Sequence, residues 1–432
     1  MKTQRVSGWG LYPVGNTILV PFRLECGISQ AGIARGLGRS YGDASFLSGG
    51  YTWEMQLYRK NFSCNPSTGS LTVDAGFSLK EIIERVVPEG FFPPVVPGTQ
   101  FVTVGGAFAS NIHGKNHHLQ GSFAEYADWI ELYLPNGEIR KISPEEELFW
   151  ATAGGMGLTG IILRLSLRLT PIPSSFILSE VHKAPRWEKV IEILQSQEMR
   201  YPFAVAWIDH FHKHNRGVIH LGRWAEKEEL PPTLHKKPYQ TQSNLDIKVP
   251  FLMPFSLFNR WSRALISSWY WDIHKPGSQI IGYKSYFFPL DRVREWNRLW
   301  GSKGFIQFQL IVPTVEGLVE IWKLLRQAPA KSFLTVLKRL GPQKGHLAFS
   351  GPGWTLAIDL PNSEEVRRFL QKAIEEVLKQ GGKIYLTKDS LLSPSQFRAA
   401  YPQWERFLEI KAQVDPSFLL RSDLSKRIAL TP

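Results

Sequence analysis

Two cysteines, Cys26 and Cys64, are the only thiols in 432 residues. That number excludes a disulfide scaffold, and without a CxxC spacing the common zinc and redox motifs are excluded too, which suits a reducing compartment. No run of about 18 apolar residues exists to span a bilayer, and the opening MKTQRVSGWG lacks the apolar centre of a signal peptide. A cytoplasmic protein, peripheral at the inner face of a membrane, is the expectation, with a periplasmic location as the alternative. Low-complexity tracts and internal repeats are also missing, so long disorder is not expected.

What the chain does contain is the composition of a folded protein, 43% hydrophobic and 21% charged. Its length exceeds what one hydrophobic core usually supports, so two domains are expected. Against 38 acidic side chains stand 51 basic ones, a formal charge of +13. This favours a polyanion, an anionic membrane surface or a phosphorylated small molecule as partner. The basic residues are spread along the whole length, and nucleic acid is therefore not expected.

From residue 18 to 170 short β-runs alternate with turns and a few helices. In SLTVDAGFSLKEIIERVVPEG a strand ends at Gly76, Ser78 and Glu81 have capping-box spacing, and a helix closes near Gly90. WIELYLPNGEIRKIS predicts a hairpin with Asn136-Gly137 at its tip, the pair that best tolerates positive φ at both turn positions. In ILRLSLRLT, Leu163, Leu165, Leu167 and Leu169 alternate with polar residues, the pattern of a strand with one buried face. After PIPSS at 171–175 the strands become aromatic-rich and the helices longer, as at 314–327, so a domain boundary is placed there. A helix over 363–379 carries Val366, Phe369, Leu370, Ala373, Ile374 and Val377 on one stripe, an amphipathic cover for a sheet. Residues 231–277 are first polar and then strongly aromatic, with Arg260 and Arg263. They read equally as an ordinary loop with a core helix, or as a mobile loop and a greasy flap that meets a lipid.

Three stretches concentrate glycine. IARGLGRSYG at 33–42 follows a strand and could let backbone N–H groups converge on an anion. A Rossmann fingerprint would need glycine where Tyr41 stands, and a Walker lysine is missing. By itself the stretch reads as a tight turn. PVVPGTQFVTVGGAFASNIHGKNHH at 94–118 and WATAGGMGLTGII at 150–162 repeat the theme. Three such stretches in one β-rich region suit a flat or diphosphate ligand better than three unrelated turns. His113, His117 and His118 lack the glutamate of HExxH and have Gly114 between them, and His210, His212 and His214 read as the solvated edge of a hairpin strand. No metal is expected.

In the order RGxGRSYGD, PGTxxVTVGGAxAxxIHGKNHH and ELFWATxGGxGLTGII, the chain resembles the vanillyl-alcohol-oxidase type of FAD-linked oxidoreductases, and among them the decaprenylphosphoryl-ribose 2′-oxidase-like members. The likeness continues through FIQFQLIVPT, VLKRLGP, GPGWTLAIDLP, KIYLTKDS and VDPSFLLRSDLSKRIAL, and is poorest over 231–277. The resemblance implies an α+β, two-domain fold. Its FAD-binding domain would span 1–172, completed by 383–432, and its substrate-binding domain 173–382, a mixed sheet covered by helices. The implied activity is FAD-dependent oxidation of a sugar hydroxyl to a ketone, the 2′-hydroxyl of a polyprenyl-phosphoryl ribose. A separate short-chain reductase would then complete an epimerisation to the arabinose form, in cell-wall biosynthesis, with peripheral membrane contact. The alternative substrate is a soluble alditol, aldose or aldonolactone.

By the same resemblance the FAD pyrophosphate is wrapped by Ala34, Arg35, Gly36, Leu37, Gly38, Arg39, Ser40, Tyr41, Gly42, Asp43 and Ala44. Along the cofactor lie Gly98, Thr103, Val104, Gly105, Gly106, Ser110, Asn111, Ile112 and His113, with Ile161 and Tyr385 nearby. Some relatives attach FAD through a histidine in the first loop, where this chain has Ser40-Tyr41, so dissociable FAD is expected. Alcohol oxidation needs a group to accept the hydroxyl proton while the hydride leaves, and a buried lysine can serve. Lys388 matches the lysine that the family places at the flavin face, with Tyr41 and His113 beside it as catalytic candidates. Substrate contacts are assigned to Lys115, to Gln307 and Gln309 on one side of a strand, and to Lys338 and Arg298 for the phosphate. Thr355 and Ala357 stand where the best-known actinobacterial members carry Asn and Cys, and Phe287 replaces a tyrosine.

Overall fold

The computed structural model describes residues 2–197, 199–240 and 246–432. Part of the expected loop, 241–245, lies outside the described residues. In chain order the strands are Gln4–Ser7 (β1), Val14–Pro21 (β2), Gly32–Arg35 (β3), Tyr51–Glu54 (β4), Phe62–Cys64 (β5), Ser70–Asp74 (β6), Phe91–Phe92 (β7), Ala127–Tyr133 (β8), Ile139–Ile142 (β9), Ile161–Arg168 (β10) and Thr170–Pro171 (β11). They continue with Phe176–Ala184 (β12), Phe203–Ile208 (β13), Gly217–Trp224 (β14), Ile247–Lys248 (β15), Gly277–Gly282 (β16), Val293–Arg294 (β17), Phe305–Val312 (β18), Thr335–Leu340 (β19), Gly353–Pro361 (β20) and Lys383–Ile384 (β21). The fold is α+β with two domains.

The N-terminal strands make a four-stranded sheet, β1-β2-β4-β3, and a five-stranded sheet, β5-β6-β10-β8-β9. The helix Leu79–Val86 starts with the capping box of Ser78 and Glu81, which satisfies two of the N–H groups a helix start leaves bare. The β8–β9 hairpin has Asn136-Gly137 at its tip, but only Gly137 has positive φ, at 89°. Gly137 N–H donates to the Leu134 carbonyl and Leu134 N–H to the Glu138 carbonyl. The turn is thus a three-residue loop closed by a left-handed glycine, and not the two-residue turn expected. Strand β10 departs from simple alternation as well. A bulge between Ile162 and Arg164 puts Ile162 and Leu165 in the main core, while Leu163 faces a smaller core with Phe22, Trp53 and Tyr133. One extra residue reverses the parity of a strand, so both faces are buried.

The third sheet has eight strands in the order β16-β12-β14-β13-β19-β20-β18-β21. Every adjacent pair is antiparallel, which corrects the mixed sheet expected from sequence. The reason lies in the connections. Helix Trp187–Gln197 carries the chain from β12 to β13, Val315–Leu325 from β18 to β19, and Glu364–Lys379 from β20 to β21. In each case the joined strands are parallel but held one strand apart, with an antiparallel strand inserted between them.

Period-two alternation then gives this sheet two different faces. Ile306, Phe308 and Leu310 of β18, Leu337 of β19, and Leu356 and Ile358 of β20 join the main core. The same core takes Leu318, Ile321 and Trp322 from one covering helix and Val366, Leu370 and Ile374 from another. Trp187 and Trp322 stack at 4.7 Å where two of these helices meet. The intervening residues Gln307, Gln309, Lys338, Thr355 and Ala357 face a cavity instead.

Candidate active site

The cavity has a volume of about 850 Å3, toward the large end for ligand pockets. Its wall is drawn from the glycine-rich N-terminal loops, the open face of the eight-stranded sheet and the segment Tyr385–Lys388.

From the first loop Ala34, Gly36, Leu37, Gly38, Arg39, Ser40, Tyr41 and Ala44 line it. Arg35, Gly42 and Asp43 do not, and they act as anchors. Arg35 donates to the Ser45 hydroxyl at 2.9 Å and to the Ser7 carbonyl at 2.8 Å. A Cβ on Gly42 would stand 1.8 Å from the Asp389 carbonyl oxygen, so only glycine allows that approach. Asp43 accepts two 2.8 Å bonds from Arg427, whose guanidinium also reaches Asp389 at 2.9 Å and the Leu392 carbonyl at 2.8 Å. One cation therefore fastens the loop to the segment that carries Lys388. Tyr41 N–H donates to the Thr387 carbonyl at 2.9 Å and completes the junction.

From the second stretch Gly98, Thr103, Gly105, Gly106, Ser110, Ile112, His113 and Lys115 line the cavity. Val104 is fully buried in the core, and the Asn111 side chain is taken up by the Ala124 N–H and the Lys344 carbonyl. Ile161 faces the smaller core, whereas its neighbour Ile162, with Gly157 and Gly160, is on the wall. Tyr385 is also on the wall, its hydroxyl donating to the Ser110 carbonyl at 3.0 Å. A Cβ on Gly36 would meet Thr103 Oγ1 at 2.2 Å, so its absence lets the first two loops touch, while at Gly98 it would meet nothing. All three glycine stretches thus open onto one space, as a flat dinucleotide requires.

Where the first loop meets the segment Tyr385–Lys388, Lys388 Nζ lies 3.4 Å from the centre of the Tyr41 ring. Burial lowers its amine from 10.5 to about 7, the Asp359 carboxylate pulls it back up, and Lys338 pushes it further down. Gln307 Nε2 donates to Asp359 Oδ1 at 2.6 Å, and Asp359 Oδ2 is buried without a partner. Burial raises Asp359 to about 7, against the pull of the Gln307 bond and of Lys388. Burial first, then Asp359, keeps the Tyr41 phenol protonated, and its bond to Gln307 works the other way. Gln309 Nε2 donates to His113 Nε2 at 2.9 Å and to Thr355 Oγ1 at 3.1 Å. The His113 proton then sits on Nδ1, which is buried without a protein partner and available to a ligand. Burial, reinforced by Lys338, holds this ring neutral.

Further along the wall, Lys115 donates to the Tyr286 carbonyl and lies 4.3 Å from the centre of the Tyr286 ring. Burial and then Lys338 lower it to about 7, and burial lowers Lys338 to about 8. Neither pairs with a carboxylate among the described residues. An anion placed here would relieve both. Arg298 does not join them. Its guanidinium donates to the Val249 and Pro250 carbonyls at 3.0 and 2.8 Å and lies off the wall.

Among the described residues no three His, Cys, Asp or Glu side chains gather as a metal set. His210, His212 and His214 lie in the β13–β14 turn and share no strand face. His210 is fully buried, accepts from the Ser332 N–H at 3.2 Å and packs on Trp322, so it is no solvated edge. Sequence reasoning missed Asp359, although one signal existed: it is the lone acid in the apolar run GWTLAIDLP, in register with Gln307. It missed Trp9 as well, over which Arg39 stacks at 3.8 Å.

Fold and wall together define the class: the chain is an FAD-dependent oxidoreductase. Residues 29–143 match the FAD binding domain family. The whole chain belongs to the family of decaprenylphosphoryl-beta-D-ribose oxidase, being 35% identical over 450 residues to the protein of that name from Mycolicibacterium smegmatis, across 99% of this chain and 98% of that one. It is also similar to an uncharacterized Streptomyces coelicolor protein, 30% identical over 82% of this chain and all of that one. A D-lactate dehydrogenase of Anaerostipes hadrus is 27% identical over about a third of each chain, 35% and 32%.

Proposed function

We propose that the protein oxidises the 2′-hydroxyl of a polyprenyl-phosphoryl ribose to a ketone, and that a separate short-chain reductase completes an epimerisation to the arabinose form. The observation that carries this is the set of chemistries gathered on one cavity wall: glycine-lined loops, the Lys388 amine, the carboxylate-free pair Lys115 and Lys338, and the apolar flank of helix Arg260–Ile273. A free alditol or lactone would need neither two buried cations nor an apolar end.

FAD, when bound, supplies the acceptor for the hydride. Ala34 to Ala44 and the 98–113 stretch would hold it, without a covalent bond, since Ser40-Tyr41 offers no imidazole and no cysteine is on the wall. Lys388, whose ionisation burial brings down to about 7, takes the hydroxyl proton in its neutral form as the C–H hydride leaves, and the carbon–oxygen bond becomes a carbonyl. The Tyr41 ring lies against the amine, Asp359, held by Gln307, acts on it through its charge, and Gln309 and His113 orient the sugar. Lys115 and Lys338 receive the phosphate. In domain terms, 1–172 with 383–432 bind the cofactor and 173–382 the substrate. The test is anaerobic mixing of FAD-loaded enzyme with prenylphosphoryl ribose. Loss of the oxidised-flavin absorbance is expected, and an unchanged spectrum rejects this substrate.

A further inference from the structure

Water-soluble proteins seldom present large side chains to solvent in a row, yet this chain does so along one segment. Of the fifteen large hydrophobics exposed among the described residues, ten fall between Ile247 and Leu290. On helix Arg260–Ile273 the outermost residues are Trp261 at 80%, Leu265 at 71% and Trp269 at 58% exposure. Their i, i+4, i+8 spacing puts them on one face. The opposite side of the helix is well satisfied: Ser267 is fully buried, Tyr270 packs on Trp207 at 4.6 Å, and its hydroxyl meets His220 Nε2 at 3.2 Å. The helix is therefore docked, and its outer face is left uncovered. Phe251 and Phe255, 60% and 69% exposed, extend the patch through the preceding segment.

We propose that this face docks on the surface of an anionic lipid bilayer, with the cavity mouth turned to the membrane. Two observations select that occupant. Residues 246–303 carry nine Lys or Arg against four Asp or Glu, and Lys248, Arg260, Lys275, Arg292, Arg294 and Lys303 are exposed there. Aromatic and apolar groups flanked by cations suit an anionic interface. A second copy docking through the same face would instead oppose two patches of like charge. Second, Trp269, Ile273 and Leu290 belong both to the exposed patch and to the cavity wall, so the apolar surface continues into the site. Among the described residues no helix is long and apolar enough to cross a membrane, and the contact is one of surface adsorption. The direction of delivery, tail from bilayer into cavity, rests on the prenyl-phosphate reading above; the docking itself does not.

The test is flotation of the FAD-loaded protein with vesicles of phosphatidylcholine alone or with added phosphatidylglycerol, for the wild type and for Trp261→Ser with Leu265→Ser, two residues off the cavity wall. The wild type is expected to float with the anionic vesicles, less so in high salt, and the double variant to lose about tenfold in binding. The variant should keep its flavin spectrum and its turnover of a short-chain, water-soluble prenylphosphoryl ribose, while turnover of long-chain substrate in vesicles falls. Wild type that stays in solution, or a variant that floats equally well, overturns the docking. So does a wild-type dimer in sedimentation that the variant abolishes, since a second copy would then cover the patch. Flotation without turnover of either substrate would reject the substrate and leave the docking standing.

Discussion

Replacing Asp359 by asparagine should make the enzyme faster on the acid side of its pH profile. Burial takes Lys388 from 10.5 to about 7, and at ~1.4 kcal/mol per pH unit the site disfavours the ammonium by about 5 kcal/mol. The Asp359 carboxylate is the one group that opposes this drop. Since burial also raises Asp359 to about 7, the two release their protons as a coupled pair. Asparagine keeps an oxygen for the 2.6 Å bond from Gln307 but removes the negative charge. A close opposite charge is typically worth about one pH unit or more, and its loss lowers the amine further. If the neutral amine takes the hydroxyl proton, flavin reduction rises with pH through this ionisation. The rising limb then moves down by about one unit, and one unit below the wild-type midpoint the variant reduces about fivefold faster. Stopped-flow absorbance of FAD-loaded enzyme with prenylphosphoryl ribose, without oxygen and across pH, reads this directly. A limb at the same pH in both proteins, or a uniform fall at every pH, would refute the coupling.

Lys388→Ala should keep the flavin spectrum and lose about a hundredfold or more in the reduction rate; full activity would remove the lysine from the chemistry. Lys411→Met should cost about 3–5 kcal/mol in a urea titration, because Lys411 and Asp415 are a fully buried pair 2.7 Å apart. Adding Asp415→Leu should then recover part of the loss, and a single variant as stable as the wild type would contradict the burial. Cys26 and Cys64 lie off the cavity wall, so replacing both by serine should leave turnover unchanged; loss of activity in the double variant would mean that a thiol serves the site.

The glycine loops were legible because what matters there is local: small residues in succession declare close backbone approach wherever the chain goes next. Caps were legible for the same reason, as with Ser78 and Glu81. What depends on a distant partner was not. Lys388-Asp389 looks like a surface pair, yet Asp389 belongs to Arg427, 38 residues on. Lys411 and Asp415 have the spacing of an exposed helical pair and are instead sealed, the amine also serving the Leu158 and Leu420 carbonyls at 2.8 Å. Ile161, placed near the cofactor by resemblance, faces the smaller core while its neighbour Ile162 lies on the wall; which face of a strand meets a cavity is set by what packs on it. Arg298 was assigned to a phosphate from charge alone, whereas backbone carbonyls satisfy it.

The eight-stranded sheet explains how such a site can vary without loss of the fold. Its helix-covered face holds the apolar core, and substitutions there carry the cavity and strain costs of buried packing. The opposite face carries polar groups that satisfy one another in short chains. Thr355 Oγ1 donates to the Leu310 carbonyl at 2.8 Å and accepts from Gln309, which in turn holds His113. Ala357 sits in register with Gln309 on the neighbouring strand. An exchange at 355 re-aims Gln309, and with it the imidazole, while Leu356 and Ile358 keep the sheet fastened to its helices. Groups that face the cavity and groups that hold the core thus lie on opposite faces of the same strand, and an exchange on the first face leaves the packing of the second in place.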